Sequence, residues 1–316
     1  MSFAGALGAA AIGGASAQQP GRTYRIALLT PNPIDPVKNP LFKVFFDELQ
    51  RNGFAEGHNL VVDTGGIEIT RFEIAAVEAV KGNPDAIVTW GPVAARAAQR
   101  ATKTIPIVAY TDDPVEGGLV TSMLRPGGNT TGIGIFASQL DGKRLETLHE
   151  LVPGARRIGV LVDRAQELGL TRVESIARSL GLEVSIQEAS RTEDIVGVLD
   201  ALAAAQVAAV DVLASAILYT GRRRIVDRVQ ALGLPTIYFW VDIAREGGLI
   251  GFGPNLDETD QLLAQQLVRV LRGAAPGDLP IMQPSKFELV VNLKTARALG
   301  LTIPESVLAR ADEVIE

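Results

Sequence analysis

The feature that most constrains this chain is an internal repeat with a spacing of about 129 residues. Glycine, proline and Gly-Gly-Leu landmarks recur in the same order in both halves. The pairs are Gly53 with Gly181 at an offset of 128, Pro106 with Pro235 at 129, and the triplets beginning at Gly117 and Gly247 at 130. Because turns and helix ends depend on such residues, a common offset predicts two copies of one folding unit.

Within each copy, short β-branched apolar runs alternate with amphipathic segments, a pattern typical of βα units with parallel sheets. The predicted strands are 24–30, 59–64, 85–90, 105–110 and 129–136, then 158–162, 182–188, 209–214 and 235–239. The predicted helices are 40–51, 72–81 and 93–102, then 167–180, 192–203 and 221–232. We therefore expect an α/β protein with two Rossmann-like lobes.

The tail does not extend the second copy, since a helix at 255–271 and a Pro/Gly-rich stretch precede one more strand at 287–292. We expect the chain to cross between the lobes three times, near Phe136, Gly253 and Pro284. Three crossings make a hinge, and two hinged lobes form a clamshell that closes on a small molecule. The expected domains are 24–136 plus 254–283 for lobe 1 and 137–253 plus 284–316 for lobe 2.

The N-terminal residues 1–19 carry no charged side chain and end in the small-residue run Ala15-Ser16-Ala17 before Gln18. This pattern resembles the apolar region and cleavage site of a secretory signal peptide, although a positively charged start is missing. The segment is a clipped export signal or a linker. An export signal predicts a periplasmic protein.

Composition excludes several classes of function. The net charge of −6 argues against nucleic acid as a partner, and the absence of cysteine removes thiol nucleophiles and cysteine-based metal sites. The two histidines, His58 and His149, fall in a polar turn and on a charged predicted helix, and neither looks like a metal ligand or a catalytic base. We expect no catalytic residues, no metal and no cofactor.

Several motifs, in order along the mature chain, resemble those of a bacterial family of ABC-transporter substrate-binding proteins, some of which are labelled tryptophan/tyrosine transport components. They are DPV at 113–115, GLV at 118–120, RPGGNTTG at 125–132, GKRLE at 142–146, RRRI at 222–225, GGL at 247–249, GPNL at 253–256 and QPSKFELVVNLKTARALGLTIP at 283–304. The resemblance implies a type I periplasmic binding protein. It further implies a monomeric, non-enzymatic receptor that delivers a small molecule to an ABC permease in the inner membrane.

The candidate ligand-binding residues lie where predicted strands end, because ligands of open α/β sheets bind at that edge. In lobe 1 they are Thr30, Asn32, Trp90, Gly91, Pro92, Val93, Tyr110, Asp112, Asp113 and Phe136. In lobe 2 they are Asp163, Arg164, Ser215, Tyr219, Trp240 and Asp242. The aromatic residues offer flat apolar surface, and the Gly91-Pro92-Val93 turn offers backbone donors at a helix N-terminus for a carboxylate.

The charged candidates suit the two ends of an amino acid or a similar organic acid. Asp163 and Asp242 would pair with an ammonium group and Arg164 with a carboxylate, whereas Asp113 is also suited to capping the turn after it. The segment 214–217 departs from the family pattern, in which many relatives carry an Asp-Pro or Asp-Asn pair. This departure weakens the assignment of an amino acid as ligand.

Two other functions remain open from the sequence. A cytoplasmic α/β enzyme that uses a nucleotide is favoured if Met1 is the native start, and a ligand-sensing lobe of a transcription regulator has a similar pattern. Nucleotide motifs are weak, however. Gly132 and Gly134 imitate a dinucleotide fingerprint but lie within a predicted strand, and no Lys-Ser/Thr pair follows the glycines at 127–132.

Overall fold

The computed structural model describes residues 21–31, 42–67, 71–164 and 170–316. Within these ranges the chain forms one five-stranded and one seven-stranded sheet. The predicted export signal at 1–19 and the predicted helix start at Pro40 lie outside the described residues. No helix in the described ranges combines the length and the apolar character needed to cross a bilayer.

The first sheet is wholly parallel and has the strand order β2-β1-β3-β4-β5. Its strands are β1 (Tyr24–Pro31), β2 (Leu60–Ile67), β3 (Ala86–Trp90), β4 (Ile107–Thr111) and β5 (Thr130–Gly134). Its sequential helices are α1 (Lys43–Arg51), α2 (Phe72–Lys81) and α3 (Pro92–Ala101). Strands β4 and β5 and all of β3 except Trp90 are buried, as is typical of a parallel sheet covered by helices.

The second sheet has the order β12-β11-β10-β9-β8-β6-β7 and is parallel except where β11 pairs antiparallel with β10. Its strands are β6 (Arg157–Asp163), β7 (Glu183–Ala189), β8 (Val210–Val212), β9 (Thr236–Tyr238), β10 (Ile250–Pro254), β11 (Phe287–Asn292) and β12 (Glu313–Ile315). The remaining helices are α4 (Asp141–Leu151), α5 (Leu170–Ser179), α6 (Ile195–Ala204), α7 (Ala216–Thr220), α8 (Arg222–Ala231), α9 (Val241–Arg245), α10 (Leu256–Leu271), α11 (Leu293–Ala298) and α12 (Glu305–Leu308).

The strand orders confirm the internal repeat. The first five strands of each half occupy the same places, since β2-β1-β3-β4-β5 corresponds to β7-β6-β8-β9-β10. The paired glycines have the same role, because Gly53 after α1 and Gly181 after α5 adopt positive φ angles of 91° and 72°. Such angles are favourable at a helix end only without a Cβ atom. The predicted α/β class with two sheets is therefore confirmed.

Differences from the predicted elements have local causes. The predicted strand 129–136 ends at Gly134, because Phe136 has a left-handed φ of 48° and begins a 3₁₀ turn at Ala137–Leu140. The five-residue helices α7 and α9 are too short to show a helical period. Strand β10 was not predicted because two glycines and a proline interrupt its five residues.

The chain passes between the sheets at three places. It leaves β5 for the 3₁₀ turn, leaves β10 for α10, and returns to β11 after a segment in which Met282 pairs with β5. The Met282 N–H donates to the Gly132 carbonyl at 3.0 Å and the Gly134 N–H donates to the Met282 carbonyl at 2.9 Å. Helix α10 packs against α1, β3, β4 and β5. This packing places α10 with the first sheet; the domain limits remain a prediction.

We expect Gly253→Ala, in β10 at the second crossing, to lower the free energy of unfolding by about 1–3 kcal/mol. A Cβ atom at Gly253 would lie 1.9 Å from the carbonyl oxygen of Phe239, so the backbone would have to move. Urea unfolding followed by circular dichroism measures the change.

The matched control is Gly197→Ala in α6. The control Cβ atom meets nothing within 4 Å, and alanine is expected to raise stability by up to about 1 kcal/mol through helix propensity. Equal unfolding midpoints for the two variants would contradict the expected crowding at Gly253.

Candidate functional site

Three aromatic side chains from the two sheets meet at the carboxyl ends of equivalent strands. Tyr110 lies in β4, Trp240 follows β9, and Tyr219 belongs to α7 after β8. The centroid of the Trp240 ring is 6.3 Å from that of Tyr110 and 5.7 Å from that of Tyr219. We call these three residues the aromatic cluster. Because Tyr110 and Trp240 lie at the ends of β4 and β9, which hold the same place in the two sheets, the cluster lies where the carboxyl ends of the sheets meet.

Some polar atoms in and beside the aromatic cluster have a hydrogen-bond partner, and others have none. The Tyr110 hydroxyl donates to Thr259 Oγ1 on α10 at 3.2 Å. In the described part of the chain, Trp240 Nε1 and Asp242 Oδ2 are buried without a hydrogen-bond partner. An unpaired buried polar group costs about 1–3 kcal/mol. Both atoms are therefore suited to a hydrogen bond with a bound molecule.

Two carboxyl groups accompany the aromatic cluster. Asp242 lies in α9, two residues after Trp240, and its Oδ1 accepts a hydrogen bond from Arg245 at 3.0 Å. Asp260 lies in α10 beside Thr259 and is only 3% exposed. Burial raises the pKa of both groups, and for Asp260 the pKa is raised well above its usual value, with a further contribution from the charges of Asp257 and Asp242.

The turn after β3 has fewer free donors than the sequence suggested. Gly91 adopts a φ of 91°, and its N–H donates to the Tyr110 carbonyl at 2.8 Å. Pro92 has no N–H. The donors left at the start of α3 are the amides of Val93 and Ala94. The predicted carboxylate site therefore keeps fewer backbone N–H donors than expected. The donors that remain belong to the first turn of α3, beginning at Val93.

Trp90 lies apart from the aromatic cluster. Its ring contacts Phe42 at 4.9 Å and Phe45 at 5.7 Å, both in edge-to-face geometry, beside and within α1. Trp90 is half-buried. Tyr219, in contrast, contacts Trp240.

The comparisons with known proteins agree on one family. The family model described as ABC transporter substrate binding protein matches residues 39–315. The chain belongs to this family. A tyrosine-binding protein from Clostridioides difficile is 28% identical over 268 residues, covering 82% of this chain and 76% of the relative.

Solved structures of similar proteins share the two-lobed architecture. The ABC domain from Streptococcus pneumoniae in complex with L-Trp is 25% identical, with a TM-score of 0.80 over 93% of this chain and 100% of the other. A conserved domain protein from Vibrio cholerae is also 25% identical, with a TM-score of 0.82 over the same shares. The fold of this substrate-binding protein is that of the type I periplasmic binding proteins.

Two lobe 2 candidates of this substrate-binding protein form a pair of their own. The Ser215 hydroxyl donates to Asp163 Oδ2 at 2.8 Å. The same Ser215 oxygen accepts the N–H groups of Ile217 and Leu218 and so caps α7. Asp163 is 8% exposed. The pair fixes the start of α7, and an ammonium group would have to share Asp163 with Ser215.

Three other candidates are exposed or already bonded within the fold. Arg164 is 75% exposed and lies 3.8 Å from Glu188, so its predicted carboxylate contact is not preformed. Asp113 Oδ1 accepts the N–H groups of Val115 and Glu116 at 2.9 Å, as expected for a capping residue. Asp112 Oδ1 accepts the Ser138 N–H at 3.4 Å.

Burial raises the pKa of Asp112. Phe136 is buried next to the first crossing, and Thr30 is buried near the end of β1. Asn32 lies outside the described residues.

Sequence reasoning missed Asp260 and Thr259. Their helix was predicted correctly, but only as an amphipathic helix. A signal was present: Leu256, Asp260, Leu263 and Leu267 follow helical spacing, so an acidic residue interrupts the buried stripe of α10. A carboxyl group at such a position is buried, and a buried carboxyl group away from a cation is a candidate for function.

Proposed function

We propose that this chain is the extracytoplasmic receptor of an ABC importer and that it captures a small ligand with an aromatic or flat apolar part, such as an aromatic amino acid. The observation that carries the proposal is the aromatic cluster, in which rings from both lobes meet at equivalent strand ends. The receptor would act in the periplasm and deliver the bound ligand to a permease in the membrane.

The chemistry of the surroundings supports a ligand with polar groups at one end. The aromatic faces provide apolar contact worth about 0.5–1.5 kcal/mol per ring pair beyond the area buried. The amides at Val93 and Ala94 favour a carboxylate, and Trp240 Nε1 offers a donor. The names of two relatives point the same way, one as a tyrosine-binding protein and one in complex with L-Trp.

Ligand capture requires contacts from both lobes. A clamshell moves from mostly open to mostly closed only if the ligand prefers the closed form by up to about 5.5 kcal/mol. Tyr110 on one side and Tyr219 with Trp240 on the other supply contacts that exist together only when the lobes are close. The proposal therefore assigns the cluster both to recognition and to closure.

The test is calorimetric titration of protein that has been unfolded, dialysed and refolded to remove any ligand carried through purification. L-Tyrosine, L-tryptophan and L-phenylalanine are compared with L-leucine, citrate and ATP. We expect at least one aromatic amino acid to bind with a dissociation constant of about 10 μM or tighter, which corresponds to about −7 kcal/mol.

The chain has two tryptophans, so Trp90→Phe leaves Trp240 as the fluorescent reporter of the cleft. Binding should change its emission. Heat or fluorescence changes with ATP but with none of the aromatic amino acids would contradict the proposal and favour a nucleotide-using protein.

A further inference from the structure

Asp242 and Asp260 are buried beside the same aromatic cluster but belong to different elements. Asp242 is in α9, which follows β9 of the second sheet, whereas Asp260 is in α10, which packs against the first sheet. The two carboxyl groups act on each other electrostatically, and both act on Tyr110 and Tyr219. The elements of each sheet thus contribute one of these two acidic groups to the surroundings of the aromatic cluster.

The hydrogen-bonding state of these carboxyl groups is the second observation. Among the described residues, Asp260 accepts no hydrogen bond and forms no ion pair, although it is 97% buried. The structure leaves Asp242 Oδ2 buried and unpaired as well. Native proteins rarely bury a carboxyl group without a partner, because its desolvation is then uncompensated. A hydrogen-bond donor placed between the two groups would supply the absent partner, and a positively charged donor is favoured.

We propose that Asp242 and Asp260 together bind one ammonium group of the ligand, so that the receptor selects amines over the corresponding acids that lack nitrogen. This inference rests on the proposed function, since it places the ligand in the same cleft. An ammonium group has three donors, enough for both carboxyl groups. The surrounding faces of Tyr110, Tyr219 and Trp240 add cation–π attraction.

The proposal explains how an amine can be recognised although segment 214–217, after β8, contains no acidic residue. The carboxyl groups come instead from α9 and α10. Because α9 follows a strand of the second sheet and α10 packs against the first, an ammonium group between the two helices would also draw the lobes together.

The electrostatics support a link between capture and proton release. Asp260 interacts electrostatically with Asp257 on its own helix, with Tyr110 from β4, with Tyr219 from α7 and with Asp242 from α9. A cation in these surroundings, Arg245, is bonded to Asp242 Oδ1. Burial and the charges of Asp257 and Asp242 raise the pKa of Asp260, which favours the neutral carboxyl group in the free receptor. Ammonium binding favours the charged carboxylate and lowers the pKa. Affinity for an amine should therefore increase as pH rises toward the pKa of the free receptor.

The test compares L-tyrosine with 3-(4-hydroxyphenyl)propionate, which differs only by lacking the amine, in wild type and Asp260→Asn. Asparagine keeps the shape and neutrality of the protonated side chain, so the variant should fold with an unchanged or higher melting temperature. We expect L-tyrosine to bind wild type about tenfold to a hundredfold more tightly than the analogue, and this preference to be lost in the variant.

Asp257→Asn is the matched control, because it removes an exposed carboxylate one turn earlier in α10. It should keep the preference for L-tyrosine. Titrations in buffers of different ionisation enthalpy should also show proton release in wild type and none in Asp260→Asn.

The outcomes separate the two proposals. If wild type binds L-tyrosine and the analogue equally, or if Asp260→Asn keeps the preference, the amine site is overturned while the aromatic receptor stands. If wild type binds neither these two compounds nor L-tryptophan or L-phenylalanine, both proposals fall.

Discussion

Replacing Arg144 with methionine is expected to lower the free energy of unfolding by about 3–5 kcal/mol, because the change leaves two acidic groups without their cation in the interior. Arg144 of α4 is fully buried. Its Nε donates to Asp211 Oδ1 at 2.9 Å and its guanidinium NH₂ group donates to Asp141 Oδ1 at 2.7 Å. The guanidinium also lies 5.5 Å from the centroid of the Phe239 ring.

The pKa values of this buried triad explain why the arginine matters. Burial raises the pKa of Asp141 to about 7, even though Arg144 lowers it, and burial also raises the pKa of Asp211. Without the arginine both carboxyl groups must take up a proton or lose their burial. The triad links α4, the helix that follows the first crossing, with β8. Its loss is therefore expected to weaken the packing of α4 on the second sheet.

Thermal and urea unfolding measure the effect. Arg157→Met is the control, because Arg157 pairs with Glu183 on the surface with 46% and 70% of the two side chains exposed, and such pairs contribute at most about 1 kcal/mol. Adding Asp211→Asn to the Arg144 variant should restore part of the stability. A loss no greater than that of the Arg157 control would show that the triad does not stabilise the fold.

Trp240→Leu is expected to weaken the binding of an aromatic amino acid at least thirtyfold, about 2 kcal/mol, as is typical of a central binding residue. Trp240 contacts Tyr110 from one sheet and Tyr219 from the other. Leucine removes both ring contacts and the Nε1 donor. The measurement is calorimetric titration below the melting temperature of the variant.

Trp90→Leu is the matched control at the equivalent edge of the first sheet. Trp90 contacts Phe42 and Phe45 beside and within α1, so we expect its replacement to reduce stability more than affinity. A larger loss of affinity for the Trp90 variant than for the Trp240 variant would show that the main ligand contacts lie at the turn at Gly91. Equal losses would show that both turns contact the ligand.

The repeat and the alternation of patterns were enough to predict the architecture. Glycines such as Gly53 and Gly181 adopt positive φ angles that disfavour other residues. Their spacing in the sequence therefore indicates where equivalent helices end in the two halves. Helix α2 and strand β11 match their predicted limits at both ends, since each is bounded by strong changes in polarity.

The site was less predictable because side-chain partners depend on packing between distant segments. The rule that ligands bind at the carboxyl ends of strands places Trp90 and Trp240 at similar edges of the two sheets. It does not predict that the Trp90 ring packs beside α1 whereas the Trp240 ring contacts residues of both sheets. Asp260 is more than 100 residues from Tyr110 in the sequence. The packing of α10 brings the helical turn that contains Thr259 and Asp260 to the aromatic cluster. The Gly91 amide, expected to be free, is used within the fold.

The path of α10 also has a consequence for synthesis. This helix covers β3, β4 and β5 of the first sheet, yet its residues follow the entire second βα unit in the chain. A nascent chain that has just completed β5 lacks the apolar face of Leu263 and Leu267 that buries those strands. Because long-range contacts form only once both partners have been made, we expect the first sheet to reach its final packing only after synthesis of α10, when most of the chain is complete.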